Sequence, residues 1–232
     1  TKERRKTMRC QVFQVKVDRS KLSEPVIKHL NKLFREAKWL YNHILGTEDV
    51  FAVADNIKEV TVLNKERVPE IRQLDNLSAQ MVQEVVDRTK GNIVALGKLK
   101  AAGTKVGKLK FKSQVNSVPL KQYNNTYKVR GNCIKIQGCK KPFKVEGLEQ
   151  LPPGADLTKA ILIQRTGDYY IKITCYVDKV LKSVTGRSIG LDFGIKDNIT
   201  TSDGKRFNFS FPENKQLKKA SRKVHKAKKG SR

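Results

Sequence analysis

The chain has 232 residues, with 49 Lys+Arg against 22 Asp+Glu, a formal net charge of +27 and a pI near 10.1. Its 38% of hydrophobic residues suffices for one large core or two smaller ones, and no run approaches the roughly 18 apolar residues of a membrane span. No secretory n-region and h-region opens the sequence, and Cys10, Cys133, Cys139 and Cys175 lie scattered without a CxxC, so reduced thiols are expected and a zinc site is not.

Residues 8–17 (MRCQVFQVKV) alternate and are rich in β-branched and aromatic side chains. They predict a strand with Cys10, Val12 and Gln14 on one face and Phe13, Val15 and Val17 on the other. Ser23, Glu24 and Pro25 combine a cap, an acid and an early proline, a helix start. Val26, Leu30, Leu33, Ala37, Leu40 and Ile44 then recur at helical spacing, with Ile27, Phe34 and Tyr41 widening the stripe. This helix is expected to reach Leu45 and to end at Gly46. Residues 47–75 read as helix or loop, with Val62, Leu63, Val68 and Ile71 as apolar anchors. Asp75-Asn76 is the expected cap of a second helix, whose face is Leu77, Met81, Val85, Val86, Ile93 and Leu96, with Gly91 its weak point.

From Gly103 the pattern changes to glycines, lysines and short alternations. LKFKSQV, YKVRG, CIKIQG and FKVEG predict strands joined by tight turns. Pro152-Pro153-Gly154 marks a loop, and AILIQRTGDYYIKITCYV a hairpin turning at Thr166-Gly167-Asp168. One strand, a helical insertion and a resumed sheet give an α+β fold: a β-barrel interrupted by helices between its first two strands. Residues 179–187 read as a linker. Beyond it, Ile189 and Leu191 share one face of a strand, Asn198 to Thr201 form the next, Ser202-Asp203-Gly204 turns, and Phe207 and Phe209 lie in a third. The end, KQLKKASRKVHKAKKGSR, is basic and permits a helix.

The charge is concentrated. Residues 88–145 hold fifteen basic residues and no acid, and residues 215–232 hold nine basic residues and no acid. Residues 1–18 carry +4, while 19–87 and 146–214 are nearly neutral. A stretch of 58 residues without a carboxylate repels itself unless a polyanion is present, and phosphate binding with counterion release is the natural use. Nucleic acid is therefore the expected partner, ahead of an acidic protein or a membrane surface. No basic amphipathic helix with a large apolar face supports the membrane. Asp192 stands at the end of an apolar run and before Phe193-Gly194. It has two readings: a turn-capping carboxylate, or a ligand for a divalent metal.

GLDFGIKDNITTSDG resembles the first RuvC motif of the TnpB (OrfB) family, the transposon-encoded relatives of type V CRISPR effectors. LFREAKWLYNHIL, with Trp39, Tyr41, Asn42 and His43, is similar to that family's first N-terminal helix. LSAQMVQEVVDR resembles its second helical motif, and YYIKITCYVD the strand before RuvC. Together these motifs span nearly the whole chain in the family's order. The resemblance implies a wedge β-barrel from residues 1–21 and 104–183, a helical recognition insertion at 22–103, and the first segment of an RNase H-like RuvC domain at 184–232.

It also implies a function: guide-RNA-directed binding of double-stranded DNA beside a short target-adjacent motif, followed by magnesium-dependent cleavage in a prokaryotic cytoplasm. Asp192 is the implied catalytic and metal-binding carboxylate. Asn76, Gln80, Tyr123 and Asn124 are candidates for the target-adjacent motif. Lys105, Lys108, Lys110, Lys112, Lys121, Lys128 and Arg130 are candidates for gripping RNA or heteroduplex backbone. Tyr41 and His43 are expected to pack. The family's second helix, catalytic Glu, CxxC…CxxC zinc element and final Asp do not occur in these 232 residues, so this portion alone is expected to be inactive as a nuclease. The competing readings are a nuclease-dead RNA-guided regulator and a plain basic RNA-binding protein. Oligomeric state is not legible.

Overall fold

Alternation in the first strand region does produce a strand, β1 (Arg9–Val17), in which Val15 and Val17 are fully buried while Cys10, Val12 and Gln14 face out. A computed structural model describes residues 2–64, 66–179, 186, 188–194, 198–209 and 214–227, and the chain divides into two units, 1–179 and 180–232. A short helix, α1 (Lys2–Thr7), precedes β1. Its Arg5 makes a two-pronged ion pair with Asp156 (Nε–Oδ2 2.7 Å, Nη2–Oδ1 3.0 Å) and lies over the Tyr176 ring. That hydrogen-bonded guanidinium holds the Asp156 carboxyl below its usual range.

Helix α2 (Glu24–Gly46) buries the stripe its spacing predicts, from Val26 to Ile44, with Pro25 in the first turn and Ser23 as N-cap. Gly46 is not the left-handed stop expected of it. It keeps helical conformation as the last residue, and Thr47 follows in extended conformation, its hydroxyl donating to the Ile44 carbonyl. The region read as helix or loop contains a hairpin instead, β2 (Glu59–Leu63) and β3 (Pro69–Gln73), paired antiparallel. Its signal was masked because most of its side chains are exposed: Leu63 and Ile71 are both about two-thirds accessible. The next helix, α3 (Ala79–Ala101), is capped by Ser78, which accepts from the Met81 N–H, and not by Asp75-Asn76. Met81, Val82, Val85 and Val86 are buried on α2 and Gly91 does not interrupt the helix, but Leu77 is buried just before α3 begins, and Ile93 and Leu96 of the expected face are only half-buried and lie outside the core cluster.

The remaining strands of this unit are β4 (Ser117–Leu120), β5 (Tyr127–Arg130), β6 (Cys133–Ile136), β7 (Phe143–Glu146), β8 (Asp156–Arg165) and β9 (Asp168–Val177). They form one sheet in the order β4-β8-β9-β1-β7-β6-β5, every neighbour antiparallel. β1 thus sits mid-sheet between strands more than a hundred residues away. The two ends of the sheet approach each other at Thr158 of β8. Its carbonyl accepts from the Tyr123 N–H (2.8 Å) and from the Tyr127 hydroxyl (3.2 Å). The result is a nearly closed antiparallel barrel, which leaves few unpaired edges. LKFKSQV is not one of its strands: residues 103–116 run without regular structure, because their backbone pairs with α2 side chains as described below.

Inward residues of the sheet, among them Leu120, Tyr127, Ile134, Ile136, Leu162, Ile171 and Ile173, share a single core with the stripes of α2 and α3. Phe34 of α2 stacks on Tyr169 of β9, whose hydroxyl donates to Asn31 Oδ1 at 2.7 Å. Burial raises the Tyr169 phenol and pushes the Cys139 thiol up to about 11. The cysteines are free thiols, as expected.

In the second unit, β10 (Leu191–Asp192), β11 (Ile199–Thr201) and β12 (Arg206–Phe207) form a three-stranded antiparallel sheet. The strand order read from the sequence holds, with Thr201, Asp203 and Lys205 closing the turn, but the strands are shorter than expected and leave Ile189 and Phe209 outside β10 and β12. A final helix, α4 (Lys215–Lys226), is capped by Asn214 and buries no residue. The predicted linker at 179–187 lies outside the described residues except at 179 and 186. Among the described residues no helix is long and apolar enough to cross a membrane.

Candidate nucleic-acid interface

The acid-free block folds into three different settings. The first is the outer face of β5, β6 and β7. Because side chains alternate, Tyr127, Ile134, Ile136, Phe143 and Val145 point into the core, and Lys128, Arg130, Lys135 and Lys144 point out, with one acid, Glu146, at the end of β7 on the same outer face. Register places Lys128 directly opposite Lys135, and Cys133 opposite both Arg130 and Lys144. Like charges facing each other across a sheet are unfavourable unless an anion intervenes. The loop from Gln137 to Pro142 curls over this face and makes a cleft of about 450 Å³, lined by Asn125, Lys128, Arg130, Lys135 and Cys139 and by no carboxylate.

The second setting is the strap, residues 103–116. Lys105, Lys108 and Lys110 are exposed on it. The strap is held by α2 in the manner of a sheet edge: Asn42 Nδ2 donates to the Lys112 carbonyl and the Lys112 N–H donates to Asn42 Oδ1, both at 2.9 Å. The Tyr41 hydroxyl donates to the Lys110 carbonyl (3.3 Å), and Lys112 Nζ lies 4.1 Å from the centre of the Tyr41 ring. Tyr41 is buried, as packing demands. His43 fastens the hairpin, accepting from the Thr61 N–H through Nδ1 at 3.1 Å.

The third setting removes cations from the surface field. Lys121 pairs with Asp87 (3.4 Å) and Glu84 (4.0 Å) of α3, and Lys90 with Asp55 (3.8 Å) while donating to the Val53 carbonyl. Of the backbone-gripping candidates, Lys121 is therefore already neutralised within the fold.

The four candidates for target recognition separate likewise. Gln80, in the first turn of α3, donates through Nε2 to Gln122 Oε1 at 3.0 Å, which brings it to the turn carrying Tyr123 and Asn124. Gln80 Oε1 is enclosed and accepts no hydrogen bond among the described residues. Tyr123 packs against Tyr127 with ring centroids 5.4 Å apart. Asn124 is exposed and adopts a left-handed φ of 65° while its N–H donates to the Tyr127 carbonyl. Asn76 faces elsewhere: its N–H and side-chain amide both donate to buried Glu36 of α2, which also accepts from the Leu77 N–H at 2.8 Å. Glu36 is the principal residue that sequence reading missed here. Its helical position between buried Leu33 and Ala37 was the available signal.

Asp192 lies on β10 opposite Thr200 and is exposed, together with Leu191 and Phe193. The apolar run does not bury Asp192, because this three-stranded sheet leaves Leu191, Phe193 and Phe207 accessible. Among the described residues no three His, Cys, Asp or Glu side chains gather into a metal-binding group. Magnesium prefers six oxygens and a two-metal centre needs several carboxylates, so Asp192 with its described neighbours does not supply such a centre. No protein-family model matches the chain, and no curated protein matches it significantly.

Proposed function

We propose that this chain is the guide-RNA-binding and target-binding portion of an RNA-guided DNA-cleaving protein resembling the TnpB family. In this reading the barrel and helices of residues 1–179 grip RNA and heteroduplex, and Asp192 contributes one carboxylate to a magnesium-dependent RuvC site whose other ligands lie outside the described residues. The observation that carries the nucleic-acid part is the β5–β7 outer face. It collects Lys128, Arg130, Lys135 and Lys144 from an acid-free sequence block and surrounds a cleft without a carboxylate. A-form duplexes are held through phosphates and 2′-hydroxyls, which such a surface matches. The strand–helices–sheet order, which the resemblance implies, and the position of Gln80 beside the turn that carries Tyr123 and Asn124 add support, since three of the four candidates for the target-adjacent motif become neighbours.

A nuclease-dead RNA-guided regulator is the second reading, to which one observation is relevant: among the described residues no three His, Cys, Asp or Glu side chains gather around Asp192. The test is the nucleic acid that co-purifies with the chain expressed beside its native flanking sequence. A single discrete, structured RNA species is expected, and bulk ribosomal RNA would reject the family reading in favour of a general basic RNA-binding protein.

A further inference from the structure

Between α2, α3 and the strap lies a cavity of about 200 Å³, lined by Ala37, Tyr41, Arg88, Asn92, Lys112 and Ser117 among others. It is smaller than the roughly 300–1,000 Å³ of pockets for drug-sized ligands, yet roomy for a single tetrahedral oxyanion with water. Arg88 comes from α3 and is largely enclosed. Its fork is weakly satisfied, with Nη1 3.4 Å from Ser117 Oγ and Nη2 3.4 Å from the Ser117 carbonyl. Both distances are at the long limit for a hydrogen bond, and the guanidinium has five N–H donors to place.

Lys112 stands at the opening, its ammonium set over the Tyr41 ring and its backbone clamped by Asn42. Glu84, one turn before Arg88, is shared between Lys121 at 4.0 Å and Lys159 at 3.9 Å. Among the described residues neither Arg88 nor Lys112 forms an ion pair. Burial disfavours both charges: it lowers Arg88 against the opposing pull of Glu84, and it lowers Lys112, to which the neighbouring Arg88 adds. A fold that places two cations without a direct ion pair on one cavity, one held by a neighbouring strand and one by an aromatic ring, with Glu84 acting on Arg88 only from beyond ion-pair distance, is preorganised for an anion.

We propose that this cavity is a phosphate-group site, with Arg88 as the inner fork and Lys112 as the donor at the opening. The occupant is a backbone phosphodiester of bound nucleic acid, a choice that rests on the nucleic-acid reading above. Free inorganic phosphate is the other source of the same chemistry. Neither Arg88 nor its cavity belongs to the β5–β7 cleft, so the two sites are separable by substitution.

The experiment uses the full 232-residue chain. Binding of a short mixed-sequence RNA is measured over a salt series for the unaltered protein, Arg88→Gln, Lys112→Gln and, as control, Lys28→Gln. Lys28 lies about 20 Å along α2 from Tyr41, at 1.5 Å rise per residue. Lys112→Gln keeps the backbone clamp, so it reports on the site even if Arg88→Gln folds poorly. Competition and thermal shift with inorganic phosphate, against chloride at equal ionic strength, run in parallel. For a phosphodiester occupant, each pocket variant weakens RNA roughly tenfold and lowers the log–log salt slope by about one. Lys28→Gln changes neither. If inorganic phosphate raises the melting temperature and Lys112→Gln removes that shift while RNA affinity is unchanged, the site stands with free phosphate as its ligand. If both pocket variants match the unaltered protein in RNA affinity and in phosphate response, the proposal is overturned. Persistence of the discrete co-purified RNA in that case leaves the family reading intact.

Discussion

Asn124 shows how one side chain can serve the fold and be a recognition candidate at once. Its φ of 65° is a conformation that L-residues other than Asn and Asp visit at a cost of about 1 kcal/mol or more, while glycine adopts it freely. Two substitutions therefore separate the roles. Asn124→Gly is expected to keep stability within about 0.5 kcal/mol, and Asn124→Ala to lose about 1 kcal/mol, in urea unfolding. If Asn124 reads the target-adjacent motif, Asn124→Gly loses motif discrimination while still folding. Equal discrimination before and after would assign Asn124 to the turn alone. Asn76 presents the opposite case, since its amide and N–H are both committed to Glu36. Buried Glu36, which forms no ion pair among the described residues, persists there because three donors from Asn76 and Leu77 replace its water.

At the scale of elements, the β6–β7 loop decides whether the basic face is flat or concave. Gly138 in that loop has a φ of 87°, and a Cβ there would lie 2.6 Å from the His29 ring of α2. His29 Nε2 in turn sits 3.4 Å from the Gln137 carbonyl. Gly138→Ala meets both a left-handed backbone and a displaced imidazole, and is expected to cost about 1–3 kcal/mol. Urea unfolding measures this, and a change under about 0.3 kcal/mol would show that loop and helix are uncoupled. The strap makes the complementary point. Residues with strand-like alternation became an irregular segment whose backbone takes the Asn42 side-chain amide as its partner in place of a strand edge.

At the scale of the molecule, net charge is a poor guide to which cations meet a ligand. Lys121 is paired with Asp87 and Glu84, whereas Lys128, Arg130 and Lys135 line a cleft without an acid. A combined change of Lys128, Arg130 and Lys135 to Gln is expected to lower the salt slope of RNA binding by roughly 2–3 and to weaken binding at low salt at least tenfold. Lys121→Gln, which removes one charge of the same sign, is expected to leave the slope nearly unaltered. Filter-binding across a salt series checks both, and equal effects per charge removed would mean that the surface acts as an undifferentiated field.

The amino-acid sequence by itself determined the strand–helices–sheet order, the buried stripe of α2 and the first half of that of α3, the hairpin of β8 and β9 and the acid-free block, because periodicity and charge are local properties. It also located the three short strands around Asp192. Tertiary structure alone decided the rest. It placed β1 between β9 and β7, turned Asn76 toward Glu36, neutralised Lys121 on α3 and set Arg88 and Lys112 on one cavity. Each depends on contacts between residues far apart in the chain: β1 pairs with residues near 170, Asn76 bonds Glu36 forty positions away, and Lys112 meets Tyr41 seventy-one positions away. No local pattern encodes such pairs. They follow from closing a barrel around two helices whose apolar faces have no other place to go.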